Sequence, residues 1–330
     1  MTQFLSTRDK NRETASYEEI LLRGLSPDGG LYVPSTYPKL SKDDIVNLND
    51  QPYWQIAAMI KQLFSGPTIG GESVPDIMQR AYGLENFPHT TSSGIVTPVR
   101  KVREGLYLQN LSLGPTAAFK DMAMQPLGLE LQAALKASGG TLTILGATSG
   151  DTGSAAESAM KDLEAIRVCM LSPRAGMSDF QKAQMAQLSG TNITNIGVDG
   201  NFDDCQDLVK ALKADLEFSH LGAVNSINWG RISSQVAYYF AGYLQVAKTV
   251  GDEVDFVVPT GNFGNVFAGH IARKMGLPIG KLIIATNENN VMHTLIQTGV
   301  YKVKKAVITS SPSMDISKAS NFERLLYEIM

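Results

Sequence analysis

From about residue 95 onward, short apolar runs alternate with longer stretches in which apolar residues recur at helical spacing. The apolar runs predict strands at 106–109, 142–145, 168–171, 193–198, 223–225, 256–258 and 282–285. The periodic stretches predict helices at 120–137, 153–162, 177–188, 203–216, 232–249, 264–275 and 291–297. This alternation predicts an α/β fold with mainly parallel sheets, in which ligands bind at the carboxyl ends of strands.

The opening block, residues 1–95, lacks this alternation. A serine before an apolar stretch and a glycine after it predict a helix at 16–23, and a short strand is predicted at 31–33. Apolar residues at helical spacing predict a second helix at 53–64. Because the block contains no catalytic constellation, we expect it to be an N-terminal domain that precedes a catalytic core at 96–330.

The composition is typical of a folded protein and argues against several classes of partner. The chain has 330 residues, of which 43% are hydrophobic and 18% charged, so it is long enough for two domains with separate cores. A net charge of −3 does not indicate binding to nucleic acid or to a membrane surface. No run approaches the roughly 20 apolar residues of a membrane span. We therefore expect a cytoplasmic protein, and its isolated histidines and two cysteines predict neither a metal site nor a disulfide framework.

Lys120 is the most informative residue for chemistry. It lies among small residues where a loop becomes a helix, in Gly-Pro-Thr-Ala-Ala-Phe-Lys-Asp at 114–121. A lysine in such a cleft loses its charge through desolvation, and the neutral amine can form a Schiff base with an aldehyde. The alternative is a lysine at a helix start that pairs with a carboxylate such as Asp121. Asp121 either orients the neighbouring backbone or is an ordinary acid in a first helical turn.

Two glycine-containing turns offer what an aldehyde with an anionic tail would need. Ala-Thr-Ser-Gly-Asp-Thr-Gly at 147–153 places hydroxyls and amides at a helix start, where anions bind. Asp151 suits an anion poorly, so we expect its side chain to reach the helix cap or a lysine. Pro-Thr-Gly-Asn-Phe-Gly-Asn at 259–265 lacks the spacing of a dinucleotide motif but is suited to one phosphate. Each turn alone is also compatible with a plain strand-to-helix connection, but together with Lys120 they indicate pyridoxal phosphate chemistry.

A fourth segment, Asn-Ser-Ile-Asn-Trp-Gly-Arg at 225–231, adds a cation. Arg231 has the planar fork that suits phosphate or carboxylate. Ser226 and Asn228 alternate with an isoleucine, so we expect both on one side of a strand end. The alternative is a surface arginine that packs on Trp229. A polar turn at 310–315 alone predicts only a loop, although in a cleft it could donate hydroxyls.

With these motifs in place, the chain resembles the threonine synthases, pyridoxal-phosphate enzymes of the tryptophan-synthase-β fold group, over its whole length. Further matching motifs are Ser-Thr-Arg at 6–8, Leu-Arg-Gly-Leu-Ser-Pro-Asp-Gly-Gly-Leu-Tyr-Val-Pro at 22–34 and Ser-Pro-Ser-Met-Asp-Ile at 311–316. These three favour that family over dehydratases and cysteine synthases, which share only the core.

The resemblance implies fold type II, with two α/β domains of mainly parallel sheets and an N-terminal extension. The core would divide into a mobile small subdomain at about 130–222 and a large subdomain at 96–129 and 223–330. Family members run well beyond Met330, and they take the hydroxyl partner of the cofactor ring nitrogen from that part. We therefore expect the large subdomain to be incomplete in this chain.

The resemblance also implies roles for individual residues. Lys120 would be the catalytic lysine that carries the cofactor. The cofactor phosphate would bind at Gly261, Asn262, Phe263, Gly264 and Asn265. The residues over the cofactor and substrate would be Thr148, Ser149, Gly150, Asp151, Thr152 and Gly153. The phosphate end of the substrate would meet Ser226, Asn228 and Arg231.

The implied reaction converts O-phospho-L-homoserine and water to L-threonine and phosphate, with Lys120 moving protons at Cα and Cβ. Closure of the small subdomain, triggered by the substrate's phosphate end, is a hypothesis. Two alternatives stay open: a related phospho-lyase that eliminates phosphate without directing water to Cβ, and a truncated chain without turnover. We expect a monomer or a homodimer.

Overall fold

The computed structural model describes residues 2–148, 150–174, 177–188, 190–214, 221–222 and 226–330. The opening block contains β1 (Phe4–Ser6), α1 (Tyr17–Arg23), β2 (Tyr32–Pro34), α2 (Lys42–Val46), α3 (Tyr53–Ser65), β3 (Thr68–Ile69), β4 (Glu72–Ser73) and α4 (Val74–Ala81). The middle of the chain contains β5 (Val99–Arg103), β6 (Leu106–Gln109), α5 (Asp121–Ser138), β7 (Leu142–Ala147), α6 (Asp151–Met160), β8 (Ile166–Pro173), α7 (Asp179–Gln187), β9 (Ile193–Val198) and α8 (Phe202–Ala214). The last part contains α9 (Trp229–Val246), β10 (Val254–Pro259), α10 (Gly264–Lys274), β11 (Ile279–Ala285), α11 (Val291–Thr298) and α12 (Phe322–Ile329).

The opening block is built from helices and two small antiparallel sheets, β1–β2 and β3–β4. The predicted helix at 16–23 is confirmed as α1: Ser16 and Glu19 form a capping box, and Gly24 ends the helix with φ 70°. The predicted strand at 31–33 corresponds to β2, and the helix at 53–64 corresponds to α3. Helix α3 packs against α9, so the block shares a core with the rest of the chain.

Parallel sheets form the α/β part, as the sequence predicts. Strands β7, β8 and β9 form one parallel sheet, in which Leu142 pairs with Ile166 and Val168 with Ile193. Strands β10 and β11 form a second parallel pair, whereas β5 and β6 pair antiparallel. The seven helices predicted beyond residue 95 correspond to α5 through α11, and the predicted strand at 223–225 lies outside the described residues.

A buried ion pair joins the opening block to α5 and α9. The Lys61 Nζ lies 2.7 Å from a carboxylate oxygen of Glu130, and their side chains are 1% and 0% exposed. Lys61 also donates to the hydroxyls of Ser233 and Ser234, and the Tyr17 hydroxyl donates to Glu130. Charges buried this deeply need an opposite charge and hydrogen-bond partners close by. The network therefore ties α1 and α3 to the two helices that begin at the candidate site.

Within the described residues, no helix combines the length and apolar character needed to span a bilayer.

Candidate active site

Lys120 stands at the start of α5 with a side chain that is 13% exposed. Burial lowers the pKa of its amine to about 8, while the Asp151 carboxylate opposes that shift and the Arg231 guanidinium adds to it. A larger fraction of the amine is therefore neutral near pH 7 than in an exposed lysine. The carboxylate near Lys120 is Asp151, with Nζ and Oδ2 3.8 Å apart, and not Asp121 as the alternative proposed.

Asp121 orients the loop that leads to Lys120. Its fully buried carboxylate accepts hydrogen bonds from the backbone amide of Thr116 at 2.9 Å and from the Thr116 hydroxyl at 2.7 Å. A side chain at Gly114 would meet the Asp121 carboxylate at 2.6 Å, so the loop passes directly over it. Of the two roles considered for Asp121, the structure therefore supports orientation of the neighbouring backbone.

Asp151 reaches a lysine, as expected from its unsuitability for an anion. Besides its contact with Lys120, its Oδ1 accepts a hydrogen bond from the Gln181 amide at 2.8 Å, and its Oδ2 accepts one from the Ser313 hydroxyl. Sequence reasoning missed Gln181, whereas it allowed the turn that contains Ser313 to donate hydroxyls if it lies in a cleft. The only signal at Gln181 is its place in a capping box with Ser178, which predicts a helix start and nothing more.

The turn at 147–153 is held by its own threonine. The buried Thr148 hydroxyl accepts hydrogen bonds from the amides of Gly150 at 3.0 Å and Gly153 at 2.9 Å. Gly150 has φ 146°, and a side chain there would overlap the Gln181 amide. The hydroxyl that the sequence offered to a ligand is therefore used by the turn. Thr152 lies in the first turn of α6, and Ser149 lies outside the described residues.

The second turn, 261–265, presents a row of backbone donors. Phe263 adopts the left-handed conformation with φ 67°, and α10 begins at the next residue. Within the described part of the chain, no acceptor is bonded to the backbone N–H groups of Gly261 through Asn265. Unsatisfied N–H groups at a helix start, together with the helix dipole, form an anion-binding site.

The asparagine side chains of that turn brace it. Asn265 accepts from the Thr260 hydroxyl at 2.5 Å and donates to the Pro259 carbonyl at 2.6 Å. The Asn262 amide donates to the Ser226 hydroxyl. These side-chain amides are thus engaged within the protein, and Ser226 lies beside the turn.

The segment before α9 departs from its predicted form. Asn228 caps α9, with its oxygen accepting from the Gly230 amide at 2.8 Å and its nitrogen donating to the Leu21 carbonyl at 2.9 Å. The expectation that Ser226 and Asn228 share one side of a strand end is therefore wrong, because these residues lead into a helix. Arg231 is 4% exposed, which excludes the surface alternative, and burial lowers its pKa to about 10.

The loop that carries Ser313 is organised by one carboxylate. Asp315 accepts hydrogen bonds from the Asn287 amide at 2.8 Å and from the Thr309 hydroxyl at 2.7 Å. The following residue, Ile316, lies so close to Gly261 that a side chain on the glycine would meet it at 3.0 Å. The loop therefore connects the Asp151 contact to the 261–265 turn, called the amide-lined turn below. The sequence predicted a loop that could donate hydroxyls in a cleft.

Comparisons with known proteins agree with this geometry. The family model "Threonine synthase N terminus" matches residues 3–82, and "Pyridoxal-phosphate dependent enzyme" matches residues 91–329. The threonine synthase of Corynebacterium glutamicum is 50% identical over 99% of this chain and 69% of its own length. That of Methylobacillus glycogenes is 48% identical over 99% of this chain and 70% of its own length. The chain belongs to the threonine synthase family.

A solved threonine synthase shares the fold. The crystal structure of the enzyme from Brucella melitensis with pyridoxal phosphate bound superposes with a TM-score of 0.92 at 39% identity, over 99% of this chain and 70% of that one. The predicted fold type II and the predicted cofactor of the threonine synthase family, pyridoxal phosphate, are thereby confirmed. The residues present fit that group: a buried amine with a lowered pKa suits its aldehyde, and the amides of 261–265 suit its phosphate.

Proposed function

We propose that this chain converts O-phospho-L-homoserine and water to L-threonine and phosphate, by γ-elimination and β-addition with pyridoxal phosphate. The observation that carries the proposal is the buried Lys120 amine, whose pKa is lowered to about 8 next to Asp151 and Arg231. The 50% identity to a threonine synthase over 99% of the chain supports the choice of substrate.

Lys120 and the amide-lined turn would hold the cofactor at its two ends. Lys120 would bind the aldehyde covalently. The phosphate would accept hydrogen bonds from the backbone of Gly261, Asn262, Phe263, Gly264 and Asn265. When bound, the cofactor supplies an electron sink that stabilises negative charge at the substrate Cα.

Lys120 would also move protons at Cα and Cβ of the substrate. A general acid–base works best when its pKa lies near the working pH, and burial brings the amine into that range. Asp151 raises the proportion of charged amine, so its position sets the balance between proton donor and proton acceptor. Gln181 and Ser313 hold the Asp151 carboxylate in place.

The phosphate end of the substrate would meet Arg231 and Ser226. Arg231 supplies a buried positive charge in the first turn of α9, where water competes least for a phosphate. Asn228 would act through Arg231, because it fixes the start of that helix. The turn over the substrate would consist of Thr148, Ser149, Gly150, Asp151, Thr152 and Gly153.

The same proposal assigns roles to the domains of the chain. Residues 1–95 would form the N-terminal domain, and 130–222 would close over the site when the substrate's phosphate binds. The same interdomain angle in free and substrate-bound protein would exclude that closure. A cytoplasmic location and a monomeric or homodimeric state stay predictions.

The test combines borohydride reduction with product analysis. Incubation with pyridoxal phosphate and then borohydride should fix the cofactor on the peptide that contains Lys120, and Lys120→Ala should abolish this labelling. Incubation with O-phospho-L-homoserine should yield threonine. Release of 2-oxobutyrate and ammonia instead of threonine would favour a phospho-lyase, and cofactor binding without phosphate release would favour a chain without turnover.

A further inference from the structure

The start of α12, at its capping residue Asn321, lies against the amide-lined turn of residues 261–265. The backbone carbonyl of Asn262 accepts hydrogen bonds from the backbone amide and the side-chain amide of Asn321, both at 3.1 Å. The Asn321 side-chain nitrogen also lies 3.2 Å from the Ser226 carbonyl. One fully buried side chain therefore joins the 261–265 turn to the segment that leads into Arg231.

Arg324 lies one helical turn later and holds the segment before Arg231 directly, while it supports the turn only through Asn321. Its guanidinium donates to the oxygen of the Asn321 side chain and, at 2.5 Å, to the carbonyl of Ile227. It also donates to the carbonyl of Tyr32 in β2 at 2.8 Å. The planar fork of arginine can hold three acceptors in fixed directions, which a lysine cannot do.

The close packing leaves the turn little freedom. A side chain on Gly264 would meet the Asn321 side-chain nitrogen at 3.0 Å. The ring of Phe263, the residue in the left-handed conformation, packs edge-on against Phe322 with ring centroids 5.4 Å apart. The conformation that aligns the backbone donors is therefore supported from one side by three consecutive contacts with α12.

Arg324 carries a buried positive charge. Its side chain is 0% exposed, and burial lowers its pKa to about 9 although the neighbouring Glu323 carboxylate opposes that shift, so it remains a cation at neutral pH. A buried cation is costly, so each anion close to it is favourable. A phosphate dianion on the adjacent turn would offset this positive charge.

We infer that Asn321 and Arg324 are positioning residues for the cofactor phosphate: they hold the 261–265 turn and the 226–228 segment in the geometry that binds it. This inference rests on the proposed function. Both residues act on the backbone that carries the N–H groups and not on the phosphate itself. Asn321 binds the carbonyls of Asn262 and Ser226, and Arg324 binds the carbonyl of Ile227.

The test compares pyridoxal phosphate with pyridoxal, which lacks the phosphate, in calorimetric titrations of the purified chain. The dissociation constant of pyridoxal divided by that of pyridoxal phosphate measures how much the phosphate contributes to binding. In Asn321→Ala we expect this ratio to fall about tenfold, the value of one hydrogen bond to a held group. Arg324→Lys keeps the charge but loses the planar guanidinium, and it should also lower this ratio. This second variant tests the inference if Asn321→Ala does not fold.

Leu326→Ala is the matched control, since Leu326 lies on the same helix with 37% of its surface exposed, and its ratio should equal that of the unaltered chain. Equal weakening of both ligands in the Asn321 and Arg324 variants would indicate a merely structural role and would overturn the inference. So would an unchanged ratio, or an unaltered chain that binds both ligands equally. Failure of the proposed function is seen separately, as absence of borohydride labelling at Lys120 or of threonine formation.

Discussion

The Lys120 amine and the Asp151 carboxylate face each other at 3.8 Å across the start of two helices, α5 and α6. Burial lowers the pKa of Lys120, and Asp151 opposes that change. The carboxylate therefore regulates how much neutral amine is available, as well as lying among the residues that the family resemblance places over the cofactor and substrate.

Replacement of Asp151 by asparagine should shift the protonation of Lys120. Because the carboxylate raises the pKa of Lys120, Asp151→Asn should lower it further below its value of about 8. The pH dependence of cofactor attachment, followed by visible absorbance, should then have a lower midpoint. Asp179→Asn is the matched control, since Asp179 is exposed in the first turn of α7. An unchanged or higher midpoint in Asp151→Asn would contradict this account.

The sequence predicts the parts of the site that depend on local patterns. Glycine turns after apolar strands locate 147–153 and 259–265, and the small residues around Lys120 locate the amine. These signals suffice because a strand end, a glycine turn and a helix start are encoded within one short segment.

The supports of the site are different, because they come from contacts between distant segments. Gln181 and Ser313 both reach Asp151, and Asn321 reaches Asn262, yet no local pattern distinguishes these residues from others of their type. The role of Asn228 was missed for a related reason. The Trp-Gly-Arg stretch interrupts the apolar periodicity, so the predicted helix began at 232, and the residue that caps it was assigned to a strand end.

Arg231 should determine how well the phosphate end of the substrate binds. Arg231→Gln removes a buried charge and its fork, so we expect kcat/KM for O-phospho-L-homoserine to fall about 10- to 100-fold, as for a lost hydrogen bond to a charged group. Arg273→Gln, on the exposed side of α10, should leave kcat/KM unchanged. Equal values for the Arg231 and Arg273 variants would exclude Arg231 from phosphate recognition.

The contributions of Lys61 and Glu130 to the stability of the fold should be coupled, because each side chain is the charged partner of the other. Lys61→Met leaves a buried carboxylate without its cation, and we expect the free energy of unfolding to fall by about 3–5 kcal/mol. The double variant Lys61→Met/Glu130→Gln should lose less than the sum of the single changes. Urea denaturation of Lys61→Met, Glu130→Gln and the double variant measures this coupling.

The exposed pair of Arg80 and Glu72 provides the comparison. Its side chains are 51% and 43% exposed, so Arg80→Met should change the free energy of unfolding by no more than about 1 kcal/mol. If Lys61→Met were as mild as Arg80→Met, the Lys61–Glu130 network would not join the opening block to the core in the way described above.

Glu157 should make the fold less stable as the pH rises. Burial raises its pKa from 4.5 to about 7, against the opposing hydrogen bond from Asn195. Between these two values the folded chain keeps a proton that the unfolded chain releases, so the free energy of unfolding falls with increasing pH. Glu157→Gln cannot ionise and should therefore raise the melting temperature relative to the unaltered chain at pH 8 but not at pH 4. Glu164→Gln, at a side chain that is 81% exposed, should show no such pH-dependent difference, and a difference of the same size in both variants would refute the assignment to Glu157.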